Sequence, residues 1–497
     1  MNKIIAVSLA SAATLGAGAQ TATHAEPVRE LSLKECVQQA LAHNFDVQIQ
    51  RYNPIIQQSS LSLAYAGYDP SLTISGAHNH EVQGPDGQPA FVSDADNFSS
   101  QINGVAPWGL QYGIGGNVAE NIGASYSTTT LTRPATDTSS GSVGLNVTQP
   151  LLKNFWIDST RLSIAVAKNN LQQSEQGVRL QFINTVAAVQ NAYYELVYAR
   201  QNIIVQQEAL TLAQTQLNQD RQRVQVGSLA PLDVQQDEAQ VASSQAALIT
   251  AQNTLSIDEN TLKNLLTDSY RQWQGINIQP TEQLTSDLRL FDLQDSWGKG
   301  MTKRPDLLQA RLEVTQLGID LKFDRNQLYP ELDLKGTYGL NGTGQEFNDA
   351  FNQYREGNRP YYSYGASVTI PLSNIKARTT LKADKATLAQ KLLALKQLEQ
   401  TVMVDIDNAV KQVASDYQSV QASKQARIYA EAALDAEQKK YNVGKSTTFT
   451  VLQLQNTLTA DRGAEIRSIA NYDEDIARLA QKEGTTLDEL NITVDIH

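Results

Sequence analysis

Residues 226–234 read VGSLAPLDV and residues 443–451 read VGKSTTFTV, the same glycine turn repeated 217 positions later. The echo continues outward from there. TQPLLKN (148–154) is answered by TIPLSN (369–374), which places Pro150 on Pro371. Residues 31–70 align with 291–330 at a constant offset of 260, with Leu33 on Leu293, Asp46 on Asp306, Arg51 on Arg311, Leu61 on Leu321 and Pro70 on Pro330. Landmarks in one order and nearly one spacing mark an internal duplication. Repeat 1 is assigned to 26–280 and repeat 2 to 281–497.

Proline maps the elements. The 14 prolines leave 151–230, 232–279 and everything after Pro371 empty, and proline-free stretches are where long helices form. The first, 156–226, makes a helix of about 105 Å at 1.5 Å per residue. Along it Phe182, Val189, Leu196, Ile203, Leu210, Leu217 and Val224 recur every seventh position, with Ala192, Ala199 and Ala213 three residues further on. After Gly227–Pro231 the period restarts as Val234, Val241, Leu248, Leu255 and Leu262. A sustained seven-residue period predicts coiled-coil packing, and Pro231 suits the first turn of the second helix, over about 231–266. Repeat 2 carries the same seam as Ile406, Val413, Val420, Leu434 and Tyr441, interrupted by Arg427. Its partner helix has Val451, Leu458, Tyr472 and Leu479, interrupted by Glu465. These helices are expected over about 375–443 and 447–482. An antiparallel hairpin serving as a rod or adhesive stalk fits the heptads alone.

The proline-flanked regions have a period of two. In ELDLKGTYGL (331–340), Leu332, Leu334, Tyr338 and Leu340 share one face; in YYSYGASVTI (361–370), Tyr362, Tyr364, Ala366, Val368 and Ile370 do. Leu72 and Ile74, then Val143, Leu145 and Val147, alternate likewise in repeat 1. Such strands, about four per chain near 71–149 and 331–371, suit a membrane β-barrel. The edge of a soluble sheet would show the same alternation. Pro150 follows Pro70 by 80 positions, whereas Pro371 follows Pro330 by 41. The surplus holds VQGPDGQPA (82–90), RPATDTSSGS (133–142) and an additional strand pair, 98–105 and 110–118. That pair either widens the sheet or stands outside the membrane as a loop hairpin. With four to six strands one chain cannot close a barrel, which takes about eight, so the chain must oligomerise.

Composition bounds the rest. A hydrophobic fraction of 41% over 497 residues suits elongated helices with narrow seams. Lys3, the apolar run 4–15 and Thr23-His24-Ala25 before Glu26 read as an export signal over 1–25, with Ala17-Gly18-Ala19 as a second cleavage site. Removing it takes the net charge from −12 to −13, which argues against nucleic acid. The single Cys36 has no disulfide partner. His78 and His80 share a strand face near the barrel rim and would need a third ligand to hold a metal. No catalytic constellation, phosphate loop or zinc-type cysteine pair appears, and no cofactor is implied.

Over the whole mature chain these blocks resemble the TolC-like outer-membrane efflux channel family. LSLKECVQQALAHNFDV and DLQDSWGKGMTKRPDLLQARLEV resemble its short helices. YDPSLTISG and LYPELDLKGTYG resemble its strand entries, and TQPLL and TIPLS its exits. VGSLAPLDVQQDEAQ and YNVGKSTTFTVLQLQ resemble its periplasmic tip turns. The resemblance implies a homotrimer in which four strands per chain close a twelve-stranded barrel in the outer membrane. The long helices would continue it as a periplasmic tunnel, belted by short helices near 31–69, 269–329 and the C-terminus. It implies a periplasmic adaptor and an inner-membrane transporter as partners, and a tip that opens by untwisting one helix pair. The tip candidates are Gly227, Asp233, Gly444, Lys445, Thr450 and Gln453. Asp233 matches an acid that ties helix pairs shut; its basic partner falls on Ser446, beside Lys445. The family's acidic ring falls on Thr450 and Gln453, both uncharged, so that mode of cation selection is not expected. Asp233 equally suits a helix N-terminus. Pro54, opposite Val314, is expected to kink the first short helix.

Overall fold

A computed structural model describes residues 28–83, 91–125 and 136–492. The assigned leader, 1–25, lies outside them, as do most of 82–90 and part of 133–142. Repeat 1 opens with β1 (Val28–Leu31), α1 (Leu33–His43) and α2 (Phe45–Tyr65). Four strands follow, β2 (Ser71–Gln83), β3 (Phe91–Val105), β4 (Gln111–Ser125) and β5 (Thr136–Pro150). The long helix α3 (Ser159–Gln225) then turns back as α4 (Pro231–Leu266). A short α5 (Tyr270–Trp273) and β6 (Asn277–Pro280) lead into repeat 2. It has α6 (Leu293–Lys303), α7 (Pro305–Gln327), β7 (Glu331–Gly344), α8 (Phe347–Glu356), β8 (Pro360–Thr369), α9 (Ile375–Asn442), α10 (Thr448–Glu483) and α11 (Thr486–Glu489).

The duplication is visible in single hydrogen bonds. Arg51 donates to the Leu41 carbonyl at 3.4 Å, and Arg311, its counterpart, to that of Met301 at 3.0 Å. Asn154 and Asn374 close the two strand-to-helix exits with φ of 65° and 42°, a left-handed conformation that asparagine tolerates better than most residues. Pro54 does not end α2, which runs through it as one helix.

The strand count exceeds the expected four. β2, β3, β4, β5, β7 and β8 form one antiparallel sheet in that order, so the surplus pair is two further strands of the same sheet. Leu72, Ile102, Ile114, Leu145, Tyr338 and Tyr362 are successive register partners in one apolar row. The adjacent row, Thr73, Gln101, Gly115, Gly144, Gly339 and Tyr361, lies on the opposite, polar face. Beyond the apolar band at the end away from the helices, its face turns charged: His78 pairs with Asp96 at 2.8 Å and His80 with Asp94 at 2.5 Å. At the helical end Trp108, Trp156 and Tyr329 are exposed, as in the aromatic girdle of a membrane barrel.

The helices pack as α3 with α4, α9 with α10, and α10 back against α3. Val189, Leu196, Leu210, Leu217, Leu248 and Leu262 are buried, whereas Ile203, Val234, Val241 and Leu255 are half-buried. Where the repeat 2 seam is interrupted, the two interruptions meet: Arg427 Nε lies 2.5 Å from Glu465 Oε2. Two buried tyrosines pin the chain between the repeats. The Tyr193 hydroxyl accepts from Glu282 N and donates to the Leu31 carbonyl. That of Tyr472 accepts from Arg289 N and donates to the Asp287 carbonyl.

A charge left without its partner inside a seam costs more than a pair replaced whole. Glu465→Leu leaves Arg427 only the exposed Glu431, at 3.1 Å, and is therefore expected to lower the thermal midpoint in detergent, and Arg427→Leu/Glu465→Leu to restore it to wild type or above. A double variant no more stable than the single one would show that the pair does not act as a unit.

Candidate functional site at the helical turns

The ends of the helix pairs farthest from the sheet are built by two matching caps. Gly227 and Gly444 adopt φ of 76° and 75°. Ser228 N donates to the Arg223 carbonyl and Lys445 N to that of Lys440, each at 2.9 Å. This is the Schellman arrangement, in which a left-handed glycine satisfies the last carbonyls of a helix.

Between the two turns lies a buried polar cluster centred on Asp220, which is 0% exposed. Its carboxylate accepts from Tyr441 Oη at 2.7 Å, from Gln216 Nε2 at 2.8 Å and from Thr448 Oγ1 at 3.5 Å. Arg223 lies 3.7 Å from the same carboxylate, 4.4 Å over the Tyr441 ring, and donates to Asn442 Oδ1 at 2.9 Å. Higher up, Gln240 and Asn456 exchange two bonds of 2.7 and 3.1 Å. Repeat 1 is thus tied to repeat 2 by polar contacts within one chain.

Asp237 on α4 joins the cluster as a second buried acid, 1% exposed. Burial, then the Asp220 carboxylate and the charge of Asp233, push its carboxyl up to about 7. Burial also lifts the Tyr441 phenol to about 12, with the Asp220 carboxylate adding to it. At neutral pH the pair is therefore stable when Asp237 keeps its proton, since two adjacent buried carboxylates repel.

The residues singled out in the sequence lie around this cluster. Asp233 sits in the first turn of α4, and among the described residues its carboxylate makes no hydrogen bond or ion pair. Ser446 donates to Glu437 at 2.5 Å rather than reaching Asp233. Thr450 bonds its neighbour Thr447, Lys445 and Gln453 are exposed, and Phe449 beside them is exposed too. Asp220 and Asp237 carried a legible signal that the sequence reading passed over. Each stands three residues after a seam position, Leu217 and Val234, where earlier turns have Ala192, Ala199 and Ala213. Among the described residues no group of three or more His, Cys, Asp or Glu is placed to hold a metal.

A sheet with one apolar and one polar face, continued by two helices of about 100 Å, α3 and α9, defines a membrane-anchored channel component with a long helical extension. The chain belongs to the outer membrane efflux protein family, whose pattern it matches over residues 120–267 and 301–485. It is 26% identical over 383 residues to the outer membrane efflux protein BepC of Brucella suis, covering 75% of this chain and 79% of that one. To the outer membrane protein TolC of Salmonella enteritidis it is 25% identical over 346 residues, 68% of each. Its fold matches the Campylobacter jejuni CmeC outer membrane channel with a TM-score of 0.66 at 14% identity, over 91% of this chain and 86% of that one.

Opening the cluster returns Asp237 to its ordinary value, so the closed form binds the additional proton between about pH 4 and about pH 7. Local opening is expected to rise by up to about tenfold per pH unit through that window and to level off above it. Amide exchange over 216–226, corrected for its intrinsic pH dependence, reads this locally. The local readout matters because burial also lifts Glu474 and Asp475 to about 7 elsewhere. Asp237→Asn should flatten the profile; an unchanged profile would remove Asp237 from the control of opening.

Proposed function

We propose that three copies of the chain form the outer-membrane exit duct of an export system, passing substrate from a periplasmic adaptor and inner-membrane transporter to the exterior. The reading is carried by one observation, the two unpaired edges of the sheet. β2 and β8 end the strand order, and open edges are not tolerated in lipid, so β8 of one copy must pair with β2 of the next. The two edges run antiparallel, as β5 and β7 do within the chain.

The helices support the same closure. α7 packs against both α3 and α9. Its counterpart α2 packs on α3 and leaves Phe45, Ile49, Tyr52, Ile56 and Leu63 exposed. Their spacing of four, three, four and seven is a heptad stripe. On a neighbouring α9 it would find what α7 finds within the chain. Three chains of two repeats then make a ring of six similar units. A coiled-coil stalk, the other class the heptads allow, leaves the apolar sheet face without a purpose. The relatives matched are outer-membrane efflux and export proteins.

Transferring the β5–β7 register by repeat equivalence (Pro150 opposite Asp333, hence Pro371 opposite Thr73) puts Ser367 opposite Ala77 of the next copy. Oxidation of Ser367→Cys/Ala77→Cys should give covalent dimers and trimers on denaturing gels, and neither single variant should. Intrachain products alone would exclude this closure. In planar bilayers the wild-type protein should conduct weakly and flicker. Rising conductance in Asp233→Ala would give that acid a gating role, and equal conductance would leave the duct without it.

A further inference from the structure

The strands β3 and β4 bear on what the duct can pass. They are paired along their full lengths, β2 with β3 from Ser71–Asn103 to Gln83–Phe91 and β3 with β4 from Val105–Gln111 to Phe91–Ser125. Their connecting turn lies at the helical end of the sheet. Gly109, with φ of 88°, passes so close to Arg161 at the start of α3 that a Cβ there would meet its guanidinium at 2.5 Å. Arg161 in turn donates to the carbonyls of Phe155 and Trp156 at 2.7 and 2.9 Å. The hairpin therefore descends the whole height of the sheet and is fastened where the helices begin. A loop hairpin standing in external water would have its turn at the opposite end.

Its faces also continue those of its neighbours. Outward, Phe98, Ile102, Ile114 and Val118 extend the band of Leu72 and Ile74 towards that of Val143 and Leu145. Inward, Gln101, Gly113, Gly115 and Asn117 match the polar face of β2 and β5. The inward face mixes small groups, Ser99, Gly113 and Gly115, with uncharged amides, so along this stretch the strands add circumference while putting no large aromatic side chain into the bore.

We propose that the assembled channel closes with eighteen strands, and that its outer-membrane mouth admits polar cargo too wide for a twelve-stranded one. The proposal rests on the three-copy duct. With strands about 4.8 Å apart and tilted about 40°, eighteen close a ring of roughly 36 Å between backbones, against roughly 24 Å for twelve. The mouth is then about 1.5 times as wide as a four-strand chain would build, and size selection falls to the helical turns.

Two measurements on the full-length protein test this. Native Cys36 is fully buried, so single-cysteine labelling in outer-membrane vesicles is clean. Val118→Cys should resist a water-soluble maleimide and accept a lipid-soluble one, while its neighbour Asn117→Cys should accept the water-soluble reagent. Water-soluble labelling of both would put the hairpin outside the membrane and overturn the proposal. The second measurement adds graded poly(ethylene glycol) from the external side of single channels. A variant lacking 84–130 leaves β2 to pair with β5 with both faces preserved. The wild-type cut-off diameter should exceed that of the deletion by about 1.5-fold, and equal cut-offs would overturn the wide mouth. A lipid-shielded Val118→Cys in protein that never conducts would instead defeat the duct reading, with the hairpin still in the wall.

Discussion

The backbone of a strand in lipid has no water to bond, and everything in this chain answers to that constraint. Six strands satisfy one another but leave two edges, β2 and β8, that no other described strand of the chain pairs with. The proposed closure by copies then accounts for the rest. The first and last strands must lie at opposite margins of one sheet. The repeats must sit side by side, and each repeat must present one face to its own partner and one to a stranger. α7, wedged between α3 and α9, shows what the internal version of that contact looks like.

Away from the membrane the constraint changes from hydrogen bonding to packing. Helices of this length cannot bury a thick core, so they rely on a seam two side chains wide, relieved at intervals by polar layers. One such layer, Arg427 with Glu465, joins helices of the same repeat. Another, Arg462 with Glu208 and Arg467 with Glu195, both at 2.6 Å, joins repeat 2 to α3. The Asp220 cluster ends the series at the turns. Polar layers weaken the grip of a seam where they occur, and this places the most easily loosened contact between repeats at the far end of the helix pairs.

Much of this was legible in the sequence, and what was not had physical causes. The long helices announced themselves through proline gaps and the heptad, because both signals are local. The strands of repeat 2 alternate Leu and Tyr with polar residues and could be read alone. β3 and β4 could be read only in part, as 98–105 and 110–118, since a stretch such as SDADNFSSQ (93–101) shows its apolar row only beside Ile74, Val118 and Val143. A strand whose neighbours are small needs few apolar side chains of its own. The tip candidates came from the family resemblance at the turns, whereas Asp220 and Asp237 sit in the seam above them, where an acid looks like a defect until its partner is placed.

The exposed stripe on α2 also bears on how the protein comes into being. An unassembled chain carries that stripe and two bare strand edges at once, so its folded state and its oligomer are one equilibrium, governed by chain concentration. Dilution should unfold it rather than release a competent subunit. Exchange of subunits between the proposed assemblies would have to pass through that same unsheltered form, which makes exchange slow.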